Sequence, residues 1–371
     1  MFHCEEHTGY AMETLERVFL TAAVNAGIKE EDIYWSFKST STQGNPRILA
    51  CDYFAAETYE AVSTAVIENE IEIALAFDLG FPCPLIRVLK DSGVKHLISY
   101  WGAGMSSINS GIKLMLKKLE YSLTKNKPDE FIFESEAMRR TATHGRGVKF
   151  SATKVINLGV DTRKFYPSYG RESYAHNALN IPTDRKIVFY SGHMEERKGV
   201  RVIVQAALHL IDKLSFKNIH FVICGNKNSE AEAYEKLLEY SEARNHVTFA
   251  GYRSDLPDLM RSSHVGVIAS TGWDSFTMSS IEMMSSGLPM IVSNLQGLSE
   301  TIEDEVNGFL LPPGNHIALA DRLIEVTTNN ALANQFSQAS RRRAESLFSE
   351  KSQVDKFATL FNEKMNSPHT T

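Results

Sequence analysis

The stretch Val265-Gly-Val-Ile-Ala-Ser-Thr-Gly-Trp-Asp274-Ser-Phe-Thr-Met-Ser-Ser-Ile-Glu282-Met-Met-Ser-Ser-Gly287-Leu-Pro289 reads as one strand–turn–helix unit. Its apolar opening is a buried strand ending at Ser270; the helical pattern begins near Ser275, and Gly287 stops it. Open α/β sheets bind ligands outside the carboxyl ends of their strands. A helix opening there turns free N–H groups toward the crevice, where they suit an anion such as a diphosphate. Asp274 at the lip and Glu282 further along the helix are carboxylates that could hold sugar hydroxyls. Read alone, Asp274 is equally well a helix N-cap, and for Glu282 a solvated helix side chain is the favoured reading.

A second run, Val188-Phe-Tyr-Ser-Gly192-His193-Met-Glu-Glu-Arg197-Lys198-Gly199-Val, is strand, turn and the start of a helix carrying Val200, Ile203 and Ala207. Cations at a helix start are mildly disfavoured by its dipole. An anionic ligand explains Lys198 and Arg197 better, since they project where a phosphate would lie and could neutralise a diphosphate leaving group.

The same alternation runs along the whole chain. Arg47–Cys51, Ile73–Phe77, His96–Tyr100 and Glu130–Phe133 read as strands in the first half, with helical patterns over Tyr59–Asn69 and Leu85–Ser92. Lys186–Tyr190, Ile219–Cys224, Val247–Phe249, Val265–Ile268 and Pro289–Ser293 follow in the second. Apolar strands spaced by helices mean two doubly wound α/β domains. They are expected at 1–165 and 166–350, with the linker inside Asp161–Pro182, where Phe165-Tyr-Pro-Ser-Tyr-Gly170 brings turn residues. In the last segment, 351–371, Val354, Phe357, Leu360, Phe361 and Met365 form an apolar stripe, expected to bury against the first domain.

Composition narrows the function. The chain has 371 residues, 43% of them hydrophobic, and a formal charge of −6, which argues against a general nucleic-acid binder. Asp78 and Pro82 interrupt the longest apolar candidate for a membrane span. The polar N-terminus Met-Phe-His-Cys-Glu-Glu-His lacks the layout of a signal peptide, so a cytoplasmic location is expected. Cys4, Cys51, Cys83 and Cys224 are far apart and the 12 histidines lack metal-ligand spacing, so no metal centre is expected. From Gly111 to Lys154 there are ten Lys/Arg against five Asp/Glu, and Ile112–Tyr121 is amphipathic. That helix either touches an anionic membrane surface or a phosphorylated acceptor, or is a solvated helix with an ordinary core stripe; the second reading is favoured.

With Val155-Ile-Asn-Leu-Gly159-Val-Asp161 and Gln296-Gly297-Leu-Ser-Glu300…Asn307-Gly308-Phe-Leu-Leu-Pro312, the two runs resemble the GT4 family of retaining, nucleotide-sugar-dependent glycosyltransferases. The likeness covers residues 155–350 and implies the GT-B architecture, two Rossmann-like domains facing across a cleft. It implies that Asp274 binds the donor sugar and Glu282 the nucleotide ribose, and that Ser275, Phe276, Thr277 and Met278 offer backbone N–H groups to sugar and diphosphate. Lys198 matches the lysine of the phosphate clamp, in the run that includes Gly192. Gly251-Tyr252-Arg253 matches the segment lining the base, and Gly9 part of a glycine loop facing the diphosphate. The family commonly has Glu where Asp274 stands and Arg where His193 stands. Histidine is largely uncharged at pH 7, so His193 is expected to be a weaker, pH-sensitive clamp assisted by Arg197. Trp101 takes the place of a sugar-contacting histidine in many members.

The implied activity is transfer of a sugar, with retention, from a nucleotide-diphosphate sugar to a hydroxyl acceptor. The acceptor expected is a glycan or lipid-linked glycan in cell-surface polysaccharide synthesis, and the location the cytoplasm with peripheral contact at the inner membrane face. Neither cofactor nor metal is expected, because Lys198 and the helix terminus carry the charge. An epimerase of the same fold and a non-catalytic sugar-nucleotide-binding subunit are the alternatives.

Overall fold

Short apolar runs bounded by turns become parallel strands when crossover helices can cover both faces of the sheet, and in the computed structural model this happens twice. The structure describes residues 1–7, 9–42, 44–167 and 173–367; Thr8, and Ser168 to Gly170 of the expected linker, lie outside them. The chain divides into Met1–Asn157 together with the chain from Lys351 on, and Leu158–Glu350. The first division falls before Leu158 instead of after residue 165, because the intervening segment is held by the second unit. The Val160 N–H donates to the Phe348 carbonyl at 2.8 Å. Phe165 is buried, and its carbonyl accepts from Ser285 Oγ at 2.6 Å.

In the N-terminal unit, β1 (Trp35–Phe37) and β2 (Ile48–Ala50) form a parallel pair. The strands β3 (Ile73–Phe77), β4 (His96–Trp101), β5 (Glu130–Phe133) and β6 (Thr153–Val155) form a parallel sheet in chain order. Three-residue strands such as β1 and β6 are too short to show a periodicity, and neither is legible in the sequence. The helix Tyr10–Asn25, also unforeseen, buries Leu15, Val18, Phe19 and Ala22. The helix Glu350–Met365 buries Val354, Phe357, Leu360 and Phe361, whereas Met365 is exposed. The Phe357 ring lies 5.0 Å from Phe19 and 5.9 Å from Tyr100, so it packs into this unit's core.

The helix Gly111–Leu123 departs from the reading favoured above. Tyr121 is its one buried residue, and Ile112, Met115, Leu116, Leu119 and Leu123 are exposed.

The C-terminal unit holds β7 (Lys186–Ser191), β8 (Ile219–Cys224), β9 (Val247–Gly251), β10 (Val265–Ile268), β11 (Met290–Ser293) and β12 (Gly308–Leu311). All pair in parallel, in the order β12-β11-β10-β7-β8-β9. The chain steps outward from β7 to β9, then returns to lay β10 on the other side of β7. Connections diverge between these two strands, and such a reversal opens a crevice at the carboxyl edge. Beneath it Val188, Phe221, Val265 and Ile291 pack with Val200, Ile203 and Ala207 of the helix Val200–Leu208. Neither β12, four residues long, nor the helix Asn330–Leu347, which is mostly polar but buries Phe336, Ala339 and Ala344, is legible in the sequence.

Truncating a fully buried aromatic removes its transfer energy and leaves a cavity. Phe357→Ala is therefore expected to lose about 3–5 kcal/mol in urea unfolding monitored by circular dichroism. An unchanged midpoint would mean that the last helix does not belong to the N-terminal core.

Candidate functional site

Two loops leave neighbouring strands at the point where the C-terminal sheet reverses: residues 192–199 after β7 and 269–277 after β10. They can lie together because Gly199 has no side chain. Its φ is +76°, and a Cβ there would fall 1.7 Å from the Ala269 carbonyl oxygen. Arg197 tightens the contact: its carbonyl accepts from Thr271 N–H at 2.8 Å, and its guanidinium donates to the Trp273 carbonyl at 2.9 Å. The same guanidinium pairs with Glu195 at 2.7 Å. Arg197 thus ties the two loops together, where it was expected to assist a phosphate clamp.

The Lys198 ammonium donates to Asp274 Oδ1 at 2.9 Å. The lysine side chain is 16% exposed and the aspartate 4%, so the pair is largely withdrawn from water. Ser270 Oγ donates to Asp274 Oδ2 at 2.6 Å and Thr277 Oγ1 to Oδ1 at 3.3 Å, while the Asp274 N–H donates to Gln296 Oε1 at 3.3 Å. Removing one member of such a pair strands the other, at a cost of about 3–5 kcal/mol. Ser270 and Gln296 were not foreseen as site residues. The signal for Ser270 was a hydroxyl closing a buried strand four residues before the acid.

The helix opens at Met278, three residues later than expected, with Thr277 as its N-cap residue. Asp274 is therefore not the cap. Its carboxylate is drawn to the strand ends, and Phe276 is buried with its ring 5.1 Å from Phe348; both keep the chain extended up to Thr277. The Phe276 side chain is core, so only its backbone can serve a ligand. The N–H groups of Ser275, Phe276, Thr277 and Met278 meet no protein acceptor among the described residues. A row of free donors beside an ammonium is a site for an anion.

Glu282, the fifth residue of this helix, is 6% exposed, which rules out the solvated reading. Burial pushes its carboxyl up to about 7, against the opposing charge of Lys164. A carboxylate poised there accepts hydroxyl protons strongly once ionised.

On the β8–β9 side, Gly251 N–H donates to Asn226 Oδ1 at 2.9 Å. Tyr252 is exposed, with Lys227 Nζ 5.4 Å from its ring centre. Arg253 is held by Asp255 through two hydrogen bonds of 2.8 and 2.6 Å, and Asp255 also accepts from Tyr174 at 2.8 Å. Gly192 N–H donates to the Cys224 carbonyl at 3.2 Å, and a Cβ on Gly192 would meet the Tyr190 hydroxyl at 2.7 Å. The His193 ring is exposed, and its carbonyl accepts from Tyr190 Oη at 2.8 Å.

In the N-terminal unit, Gly9 precedes the helix Tyr10–Asn25 with φ +123°. Trp101 closes β4, and its buried indole N–H has no acceptor among the described residues. Glu134, following β5, accepts from Tyr100 Oη at 2.8 Å, and burial raises it to about 8. Asp78, following β3, is raised by burial to about 6, with the Gly102 N–H as a 3.0 Å donor. These two acids were not foreseen, because single carboxylates after short strands look like ordinary turn residues. Among the described residues no group of three or more His, Cys, Asp or Glu side chains could hold a metal, and no helix is long and apolar enough to cross a membrane.

Residues 173–343 match the family model described as Glycosyl transferases group 1. Among relatives, UDP-Gal:alpha-D-GlcNAc-diphosphoundecaprenol alpha-1,3-galactosyltransferase of Escherichia coli is 26% identical over 207 residues, covering 56% of this chain and 53% of that one. The chain spans about half the length of the relatives it matches. A glycosyltransferase of Rickettsia africae superposes with a TM-score of 0.78 at 17% identity, over 99% of both chains. Anabaena Alr3699/HepE, solved with UDP, gives 0.75 at 16% identity, over 98% of this chain and 99% of that one. The C-terminal unit is thus similar to the group 1 glycosyl transferases over residues 173–343, and the whole has the GT-B fold with two Rossmann-like domains.

Glu282 generates a pH prediction. Its native pKa of about 7 lies above the ordinary 4.5, so the folded chain keeps a proton that the unfolded chain has released. Its contribution is complete below pH 4.5 and is lost as pH rises through 7. The stability advantage of Glu282→Gln over the wild type should therefore grow by about 2 kcal/mol between about pH 5 and 8. Urea titrations at the two pH values check this, and a constant difference would contradict it.

Proposed function

We propose that this protein is a retaining glycosyltransferase that moves a sugar from a nucleotide-diphosphate sugar to a hydroxyl acceptor. The observation that carries the reading is the Lys198–Asp274 pair beside the free N–H groups of Ser275 to Met278, at the reversal of the sheet. Lys198 and those donors face charge that builds on the diphosphate as the sugar bond breaks, and fixed donors aimed at developing charge lower the barrier. Asp274 holds the ammonium in place, and its remaining acceptor capacity goes to a sugar hydroxyl. Ionised Glu282 takes the ribose hydroxyls, while Tyr252 and Arg253 border the base.

The acceptor hydroxyl attacks from the face the diphosphate leaves, and the departing phosphate oxygen takes its proton. No side chain serves as a covalent nucleophile. The ammonium and the backbone donors supply positive charge without a metal ion, so turnover should survive EDTA. A glycan or lipid-linked glycan is the proposed acceptor, in cell-surface polysaccharide synthesis, with the enzyme cytoplasmic and peripheral to the membrane. The Escherichia coli relative, named for a diphosphoundecaprenol-linked substrate, supports that class. UDP is the first nucleotide to test, since Alr3699/HepE was solved with UDP and with UDP-glucose.

A thermal-shift panel of UDP, GDP, ADP and CMP checks the donor class. A nucleotide at about one hundred times its Kd stabilises the fold by roughly 2.7 kcal/mol, so one member should raise Tm clearly above the rest. Sugar transferred to an added acceptor with its anomeric configuration kept, read by proton NMR, is the expected product. Inversion would contradict retention, an epimerised sugar without acceptor would point to an epimerase, and no shift with any nucleotide would remove the donor site.

A further inference from the structure

An amphipathic helix normally turns its apolar stripe to the core, but the helix Gly111–Leu123 does the reverse. Ile112, Met115, Leu116, Leu119 and Leu123 recur at the i, i+3, i+4, i+7 spacing of one face, and are between 55% and 74% exposed. Leu114 and Tyr121, on the opposite face, are the residues turned inward. Five large side chains left in water along one stripe form a contiguous apolar surface of the kind that marks an interaction site.

The charges beside the stripe say what covers it. On the helical wheel Lys113 lies on one flank and Lys118 on the other, both exposed, and Lys125 follows the helix end. The helix's single acid, Glu120, is already neutralised by Lys117 at 2.6 Å and Arg146 at 3.8 Å. An apolar stripe with lysines on both sides matches a bilayer interface, where acyl chains meet anionic head groups. A second copy of the same face would set lysine against lysine. The chain as a whole carries −6, so an anionic surface repels most of it and attracts this local patch.

We propose that the outward face of the Gly111–Leu123 helix is the surface by which this protein docks on an anionic lipid bilayer. The inference deepens the membrane-side part of the proposed function and is independent of the donor chemistry.

Sedimentation of the full chain with phosphatidylcholine vesicles, with and without phosphatidylglycerol, tests it. No nucleotide or acceptor is present, so failure of the donor site cannot imitate failure of docking. The wild type should sediment with the anionic vesicles and much less with the neutral ones. Lys113→Ala with Lys118→Ala should weaken binding about 30-fold, two charges at roughly 1 kcal/mol each. Leu116→Ser with Leu119→Ser should weaken it at least about tenfold, and both variants should keep the wild-type Tm because the altered side chains are exposed. No binding to anionic vesicles, or equal binding to both kinds, would overturn the proposal. So would a dimer in analytical ultracentrifugation that the leucine variant dissociates, since a second copy would then be the partner.

Discussion

One ion pair organises the C-terminal unit. The Lys198 ammonium and the Asp274 carboxylate meet at 2.9 Å between loops from two strands that are neighbours in the sheet but 76 residues apart in the chain. Neither charge could be withdrawn from water alone, because desolvation would exceed any packing gain. The two loops therefore fold against each other or not at all, and the features around them serve that requirement. Gly199 leaves the space, Arg197 ties the loop backbones, and Ser270 and Thr277 each donate a hydrogen bond to the carboxylate.

The pair stabilises the fold less than its geometry suggests, since a buried ion pair is often no better than a hydrophobic one. What it provides is a fixed ammonium beside four backbone donors, already oriented before an anion arrives. The delayed start of the Met278–Ser285 helix belongs to the same arrangement. An earlier start would carry Asp274 onto the helix and away from Lys198. Gln296, at φ +29°, accepts from the Asp274 N–H and holds that backbone from the third side.

The core of this design was legible in the amino-acid order because it depends on local patterns. Apolar runs at 186–191, 219–224 and 265–268 could be nothing but buried strands, and Lys198, Asp274 and Glu282 stand just beyond such runs. What escaped were features set by distant partners. The helix starts late because Phe276 packs against Phe348, 72 positions away, a contact that no local pattern reports. Arg197 reads as a ligand for phosphate, and its bonds to the Trp273 carbonyl and Glu195 are a second role that no local pattern reports. In the N-terminal unit β1 and β6 are too short to carry a period, and the depth at which Glu134 and Asp78 lie follows from the packing of β3, β4 and β5. The Gly111–Leu123 helix is legible as amphipathic; which face looks outward is decided by its neighbours.

Titration calorimetry of UDP into the wild type and Lys198→Met tests the central claim most directly, because methionine keeps much of the side chain's bulk and removes its charge. Hydrogen bonds to charged groups contribute about 1.5–3 kcal/mol, so the variant should bind UDP about 10- to 100-fold more weakly. Equal affinity for the two proteins would contradict the account, since the ammonium beside Asp274 would then not face the diphosphate.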